Sequence, residues 1–476
     1  MSNSRTKKLV KETAWFAIGN FGSKILSLLL VPLYTNILTK GEYGSVDILN
    51  TTISLAIPLL TLSLQDAAFR YALDKDAKNE SVISDCLLVT LLSPLVLLAL
   101  YPVLNMVLPV VTQYWWYFFC IYAFNSVSSV LACYLKGINK SNIFAIQGII
   151  HTFVFAISNI ILLLVVKMGV EGYLLSLLLS HVASCAFMII AGGVNRHISL
   201  RNTDFRLLKE MLIYSLPLIP ASVAWWIMTS IDKYMLLYMC GADANGLYGV
   251  AYKLPTIISV ITTFFINAWQ ITAVRSKDDS DISEYTSKIF DALFVIGVVL
   301  AFGMIITSKI LGRLFFAKDF FEAWTMTPLL TVSTIFSTFS LFLGAQFTAS
   351  KRSDLHLKSN LLAMSTNVVL NYVLIKWLGI NGAAYGTMIS YFIVLIYRHI
   401  KIRELIRFEV NVKKMYGACA FVMLAAVLTA LKVPGFSYYS LAVFAVTVFM
   451  YRREILSIAN DLLKTLKSKL GKKREG

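Results

Sequence analysis

The chain has 476 residues, of which 58% are hydrophobic and only 14% charged. Soluble domains carry about 25% charged and about 45–50% apolar residues, so a water-soluble enzyme of this length is excluded, in keeping with a mean hydropathy of +0.71. The net charge of +17, from 43 Lys+Arg against 26 Asp+Glu, would suggest nucleic acid in a soluble protein; in a membrane protein it first asks which loops hold the cations.

From the N-terminus, basic residues precede an apolar run from about Trp15 to Leu38. That run is too long for a signal-peptide core and lacks a small-x-small cleavage site, which predicts an uncleaved first span. Bilayer-spanning helices need about 20 mostly apolar residues. On that criterion fourteen spans are expected, at 13–38, 44–69, 82–108, 114–135, 143–166, 171–193, 210–239, 246–273, 286–310, 323–349, 355–377, 381–400, 412–431 and 434–451. Short joints carry turn chemistry, as at Thr39-Lys40-Gly41, Lys136-Gly137-Ile138-Asn139, Cys240-Gly241-Ala242-Asp243 and Val433-Pro434-Gly435. The last stretch, Arg452 to Gly476, is basic and amphipathic enough to lie along the membrane surface. The six cysteines (Cys86, Cys120, Cys133, Cys185, Cys240, Cys419) lie in or beside apolar stretches without metal-type spacing and read as small hydrophobes. No metal or cofactor is expected.

Counting cations tests this topology. With Met1 on the inner side, the inner loops and both ends hold 33 Lys+Arg, the outer loops hold 7, and Lys24, Lys233 and Lys253 fall within spans. One missed or extra span would invert everything downstream and destroy the asymmetry. The expectation is therefore an even number of spans with both termini cytoplasmic, and the basic excess is an orientation signal that leaves no role for nucleic acid.

The two halves of the chain also match each other. An offset of 205 aligns Tyr43-Gly44 with Tyr248-Gly249, and Gln65, Ala68 and Arg70 with Gln270, Ala273 and Arg275. Later Ser141 and Asn159 align with Ser353 and Asn371, and Gly169, Gly172 and Ser180 with Gly379, Gly382 and Ser390. Spans 1–6 and 7–12 are thus read as repeats; six is even, so the repeats are parallel, with a substrate site expected between them. The expected fold is all-α integral membrane, with two parallel six-helix lobes at 1–195 and 196–405, two further spans within 406–452 and a basic cytoplasmic tail at 453–476.

Several segments resemble a known family. Gly19-Asn20-Phe21-Gly22-Ser23-Lys24, Pro32-Leu33-Tyr34-Thr35 and Gly41-Glu42-Tyr43-Gly44 are similar to the first helix and hairpin of the Wzx-type polysaccharide-unit flippases. Ser215-Leu216-Pro217-Leu218-Ile219-Pro220 and Ser230-Ile231-Asp232-Lys233-Tyr234 resemble the second half of those members of the multidrug/oligosaccharidyl-lipid/polysaccharide exporter superfamily. The likeness covers nearly the whole chain and the 6+6+2 plan. It implies movement of undecaprenyl-diphosphate-linked oligosaccharide from the inner to the outer leaflet of the bacterial plasma membrane by alternating access. Close relatives carry a teichoic acid unit or a peptidoglycan precursor. A polysaccharide polymerase and a chain-length regulator are candidate protein partners.

A lipid-linked diphosphate needs positive charge along a shielded path, and an ionised group at mid-membrane costs about 2.5–3.5 kcal/mol on insertion scales. Lys24 leads on this basis, with Asn20 and Ser27 on the same helix face; the alternative is a lysine paired with a carboxylate for packing. Lys233 follows Asp232 directly, so the two point about 100° apart and one can face a cavity while the other faces a neighbouring helix; Lys233 can equally snorkel outward. Lys253 precedes Pro255, where a kink is expected. Arg70 and Arg275 are the repeat-matched pair at inner span ends, with Asp66 one turn before Arg70 as its expected partner. They read as gate residues or as headgroup anchors, and Asp232 joins the gate candidates. Asn360, Asn367 and Asn371 share one face and suit either sugar hydroxyls or interhelical hydrogen bonds. His151 and His181 suit packing or a proton-coupled cycle.

An enzyme acting on the same lipids is the first rival, but no long outer loop carries a His/Asp constellation and there is no nucleotide or metal motif. A cation-coupled multidrug exporter of the same superfamily is the second, resting on the buried carboxylates Asp47 and Asp232. The expectation is a transporter without catalytic residues.

Overall fold

The computed structural model describes residues 26–74, 78–196, 203–275, 282–350 and 352–452. Those residues are almost wholly helical. In chain order the first half contains α1 (Val31–Ile37), α2 (Lys40–Leu60), α3 (Leu64–Ala72), α4 (Asn79–Ala99), α5 (Tyr101–Val107), α6 (Pro109–Thr112), α7 (Trp115–Gly137), α8 (Ser141–Asn159) and α9 (Gly169–Ala191). The second half contains α10 (Phe205–Ser215), α11 (Ile219–Cys240), α12 (Ala242–Ala251), α13 (Lys253–Arg275), α14 (Ile282–Phe315), α15 (Thr327–Ala349), α16 (Ser353–Leu378), α17 (Ile380–Ile402), α18 (Val412–Ala430) and α19 (Phe436–Met450). Among the described residues ten helical segments are long and apolar enough to cross a membrane, and α2 with α3 makes an eleventh if that bent pair is one span. Leu26–Ile37 and α19 are shorter apolar helices. The protein is an all-α, multi-pass membrane protein, and a helix lies in each of the fourteen expected spans. The basic tail, Lys24 and Asn20 lie outside the described residues.

Several spans expected to be continuous are broken, two of them for clear local reasons. The 44–69 span bends by 59° between α2 and α3. Pro58 lies inside α2, Leu62 and Ser63 both adopt φ of 54°, and the Ser63 N–H reaches back to the Pro58 carbonyl at 2.9 Å. Proline withdraws a ladder N–H, and left-handed backbone cannot continue a right-handed helix. The 246–273 span is interrupted at Tyr252, and Pro255 sits in the first turn of α13, where a missing N–H leaves no bond unmade.

The chain divides into two compact units, one holding the described residues of Met1–Gly249 with Phe315–Phe320, the other those of Val250–Leu314 and Phe321–Gly476. In the first, α7 packs against α3, α4 and α9. Its buried Tyr134, Leu135 and Val130 meet Leu64 and Ala68 of α3 and Ile83 and Cys86 of α4, and α10 adds Leu208 and Met211. Tyr122 of α7 donates to Ser93 of α4 at 2.7 Å, so its hydroxyl is satisfied in the apolar interior. In the second unit α15 is the central helix, buried over most of its length against α13, α17 and α18. It tolerates burial because Thr331, Ser333, Thr334 and Thr338 each bond a carbonyl three or four residues back in the same helix. Around it Trp269 stacks on Phe342 at 4.4 Å, and Phe294 packs on Phe339 at 4.8 Å.

The internal repeat survives in the backbone. Gly169 and Gly379, aligned by sequence, take φ of +58° and +59° at equivalent joints. Three residues on, Gly172 and Gly382 lie against the Leu162 and Leu374 carbonyls of their preceding spans, and the aligned Asn159 and Asn371 are both fully buried.

Candidate functional site

The main cluster of charged and polar side chains inside the first unit lies where α2, α11 and α12 meet. Thr39 starts α2 with a reciprocal capping box, its hydroxyl accepting from the Glu42 N–H while Glu42 accepts from the Thr39 N–H at 2.8 Å. Gly241, at φ +88°, turns the chain from α11 into α12. The two helices then touch through glycine: a Cβ on Gly44 would stand 2.1 Å from the Ala242 carbonyl, and one on Gly246 would stand 2.0 Å from the Lys40 carbonyl. Only glycine allows backbones so close. Asn245, fully buried, donates to the Gly44 carbonyl at 2.9 Å and fastens the crossing. The Gly-x-Tyr-Gly segments of both repeats, 41–44 and 246–249, therefore meet at one crossing.

Below this crossing Lys233 reaches from α11 to Asp47 of α2, its Nζ 2.9 Å from Oδ2 and donating to Oδ1 at 3.1 Å. The side chains are 21% and 15% exposed. Thr51 Oγ1 lies 3.5 Å from the same ammonium. Asp232, 4% exposed, turns the other way: its Oδ2 accepts from the Tyr248 hydroxyl of α12 at 2.5 Å and its Oδ1 from the Lys233 N–H at 2.9 Å. Neighbouring positions on a helix diverge by about 100°, which sends Lys233 to α2 and Asp232 to α12. Trp226 donates to the Thr51 carbonyl at 3.0 Å, and Tyr234 shares a 2.7 Å hydrogen bond with Thr52. The result is one cation and two carboxylates, each held by a hydroxyl or an opposite charge.

The other residues singled out by sequence are dispersed. Arg70 pairs with Asp74, not with Asp66 as expected, at 2.6 Å and with both side chains about half exposed. Both acids are one turn from Arg70; Asp66 is half-buried within electrostatic reach of Lys136 on α7, whereas Arg70 and Asp74 project from the end of α3. Arg275 ends α13, and its side chain lies outside the described residues. Lys253 opens α13, half-buried, two residues before Pro255. Asn371 donates to Asn367 at 3.0 Å, and its own Oδ1 packs where a Cβ of Gly386 on α17 would have to stand, the packing geometry of the two readings open for that face. Asn360 serves Arg398, whose Nη2 donates to its Oδ1 at 2.8 Å.

Sequence reasoning missed two features. Asp47 stood out only, with Asp232, as a carboxylate of the rival multidrug-exporter reading; its partner Lys233 is 186 positions away. Arg398, counted with an inner loop, is only 4% exposed and donates to Ser359, Ser340 and Asn360 against the bare face of Gly344.

Apolar helices of spanning length, with a buried charged cluster among α2, α11 and α12, define a multi-pass membrane protein. The fold is that of the MOP superfamily: the protein is similar to the lipid II flippase MurJ in its inward closed conformation, at a TM-score of 0.68 and 15% identity over 94% of this chain and 99% of that one. It is also similar to an outward-facing multidrug resistance MATE transporter, at a TM-score of 0.60 and 17% identity over 83% and 96% of the two chains. The chain belongs to the family described as polysaccharide biosynthesis protein, whose profile matches residues 9–270. It is 25% identical over 202 residues to the capsular polysaccharide biosynthesis protein CapF of Staphylococcus aureus, covering 41% of this chain and 50% of that one. It is 21% identical over 200 residues to the probable low-salt glycan biosynthesis flippase Agl15 of Haloferax volcanii, covering 40% and 42%. These matches thus span half or less of those relatives' lengths.

Proposed function

We propose that the protein is a Wzx-type flippase, not an enzyme, that carries undecaprenyl-diphosphate-linked oligosaccharide units from the cytoplasmic to the outer leaflet of a bacterial plasma membrane for surface polysaccharide synthesis. The observation that carries this reading is the family match over residues 9–270. The MurJ-like fold and the cation bias toward one side support it, the bias favouring termini on the cytoplasmic side. The lobes are the repeats 1–195 and 196–405, and alternating access moves them around the substrate.

In this mechanism the polyprenyl tail stays in lipid while the diphosphate follows cations. Lys24 and Lys253 meet it first, and Lys233 becomes available when Asp47 is displaced. Exchange of the carboxylate for a phosphate oxygen keeps the Lys233 ammonium ion-paired throughout, while Asp47 hydrates as it leaves. Asp232, fixed by Tyr248, keeps α11 registered on α12 during that exchange. Asn20, Asn367 and Asn371 contact sugar hydroxyls once their helices separate. Arg70 and Arg275, with Asp66 beside the first, mark the cytoplasmic entrance, and the glycine crossing of α2 and α12 closes the outer end. A polymerase and a chain-length regulator would take up the product.

The test is a gene deletion complemented by wild type or by Lys24→Ala. Wild type should restore surface polymer, whereas Lys24→Ala should leave none while the protein remains in the membrane at normal abundance. Normal polymer with Lys24→Ala would remove Lys24 from the anion path. Normal polymer in the deletion strain itself would remove the function.

A further inference from the structure

A second polar cluster lies away from the Lys233 site, in the seam between α8 and α9. His151 of α8 and His181 of α9 stand with ring centroids 4.7 Å apart and planes inclined at 63°. His181 is only 9% exposed, and its Nδ1 is buried without a hydrogen-bond partner. One turn along α9 the Ser184 hydroxyl is also buried without a partner. Ser176, Ser180 and Ser184 are fully buried and run up the same face of α9 as a polar stripe. Directly after α8 the chain continues as a π-helix, Ile160–Val165, a backbone form that recurs at functional positions.

The Ser180 hydroxyl donates to the Leu177 carbonyl at 2.6 Å and stands 3.1 Å from His151 Nε2. Two imidazoles, one with a buried nitrogen that has no hydrogen-bond partner, thus stand against each other in a seam lined by hydroxyls.

We infer that His151 and His181 form a binding site for a single proton inside the N-terminal bundle. One imidazolium is stabilised by the lone pair of its neighbour, while a second proton would place two like charges in contact, so the pair accepts one proton and resists another. Several ionisable groups on the elements packed around this seam are engaged elsewhere, while the Tyr134 hydroxyl of α7 is buried without a partner. On α2, Asp47 is paired with Lys233 and Tyr43 packs on Phe320; on α7, Tyr122 donates to Ser93 and Lys136 lies over Phe144. On α9, Glu171 serves Tyr117 and Cys185 donates to the Phe124 carbonyl. This site stands whether or not the proposed translocation holds; its use to couple proton movement to that translocation rests on the proposed function.

The chain has five histidines, few enough for imidazole titration of the 15N-histidine-labelled full-length protein in lipid nanodiscs, with H151Q, H181Q and the double variant assigning the signals. In the wild type the pair should titrate in two steps separated by more than about one pH unit. Each single variant should show one step lying between them. Two wild-type rings that titrate together, each unmoved by removal of the other, would overturn the proposal, as would a pair that takes up no proton down to pH 4. If a glutamine variant fails to fold, H151N and H181N supply the same comparison, and the titration is read without any lipid-linked substrate.

Discussion

Lys233→Ala strips the ammonium from Asp47 and leaves a carboxylate facing α11 in a helix interface. Removing one partner of a buried pair costs about 3–5 kcal/mol, whereas an exposed pair contributes roughly 0–1 kcal/mol. With side chains 21% and 15% exposed, this pair lies near the buried limit, and a loss of about 3 kcal/mol is expected. A unit of this size loses about 2–4 °C in Tm per kcal/mol, so the apparent Tm should fall by roughly 6–12 °C. Asp47→Ala should do the same. Replacing both, as in D47L/K233M, should recover most of the loss, because an apolar pair of similar volume carries no stranded charge. The assay is intrinsic-fluorescence melting in nanodiscs at a fixed scan rate. The internal control is Lys288→Ala, whose pair with Glu284 is exposed at 72% and 69% and whose removal should shift Tm by less than about 2 °C. Equal shifts for Lys233→Ala and Lys288→Ala would refute the reasoning, as would a double variant worse than either single one.

Further outcomes follow from the backbone and from Arg398. Gly44→Ala and Gly246→Ala each insert a Cβ about as far from a facing carbonyl as a covalent neighbour, at 2.1 and 2.0 Å; cysteine crosslinking between α2 and α12 should become at least several-fold slower in both, and unchanged crosslinking would contradict the close crossing. Gly169→Ala and Gly379→Ala force alanine to φ of +58° and +59° with no steric obstacle around it, so each should cost about 1–3 kcal/mol, and a variant without Tm loss would contradict the need for glycine there. Arg398→Lys keeps the charge but loses the fork that reaches Ser359, Ser340 and Asn360. It should recover less than half of the stability lost in Arg398→Ala, and full recovery would show that charge alone matters there.

The spans were legible because an apolar stretch must be about 20 residues long to cross lipid and because cations mark its inner side. The repeat was legible because glycine, asparagine and arginine matches are rare in apolar sequence, and Gly169 with Gly379 shows the physical content of that match: both take a positive φ that favours glycine. Bends were only half legible. Pro255 marked the break beside Tyr252, but the break in the 44–69 span falls at Leu62 and Ser63, whose side chains give no sign of left-handed backbone. The side-chain network was the least legible. Arg70 has an acid one turn to either side, Asp66 and Asp74, and sequence spacing cannot choose between them; burial of Asp66 beside α7 does. Asp47 and Lys233 meet only because glycines at 41–44 and 246–249 let two backbones touch, a consequence of tertiary packing that neither charged residue carries in its own neighbourhood. Arg398 looked like a loop cation because it is four residues from a helix end, yet Gly344 opens room for its guanidinium inside the bundle.

The most direct measurement of the central claim uses the purified protein in liposomes carrying a fluorescent undecaprenyl-diphosphate-linked oligosaccharide, with the outer leaflet read by a membrane-impermeant quencher. Wild-type protein should raise the quenchable fraction with time, and Lys24→Ala liposomes should stay at the protein-free level. Equal, protein-free rates for wild type and variant, with the protein shown to be folded and inserted, would contradict the account.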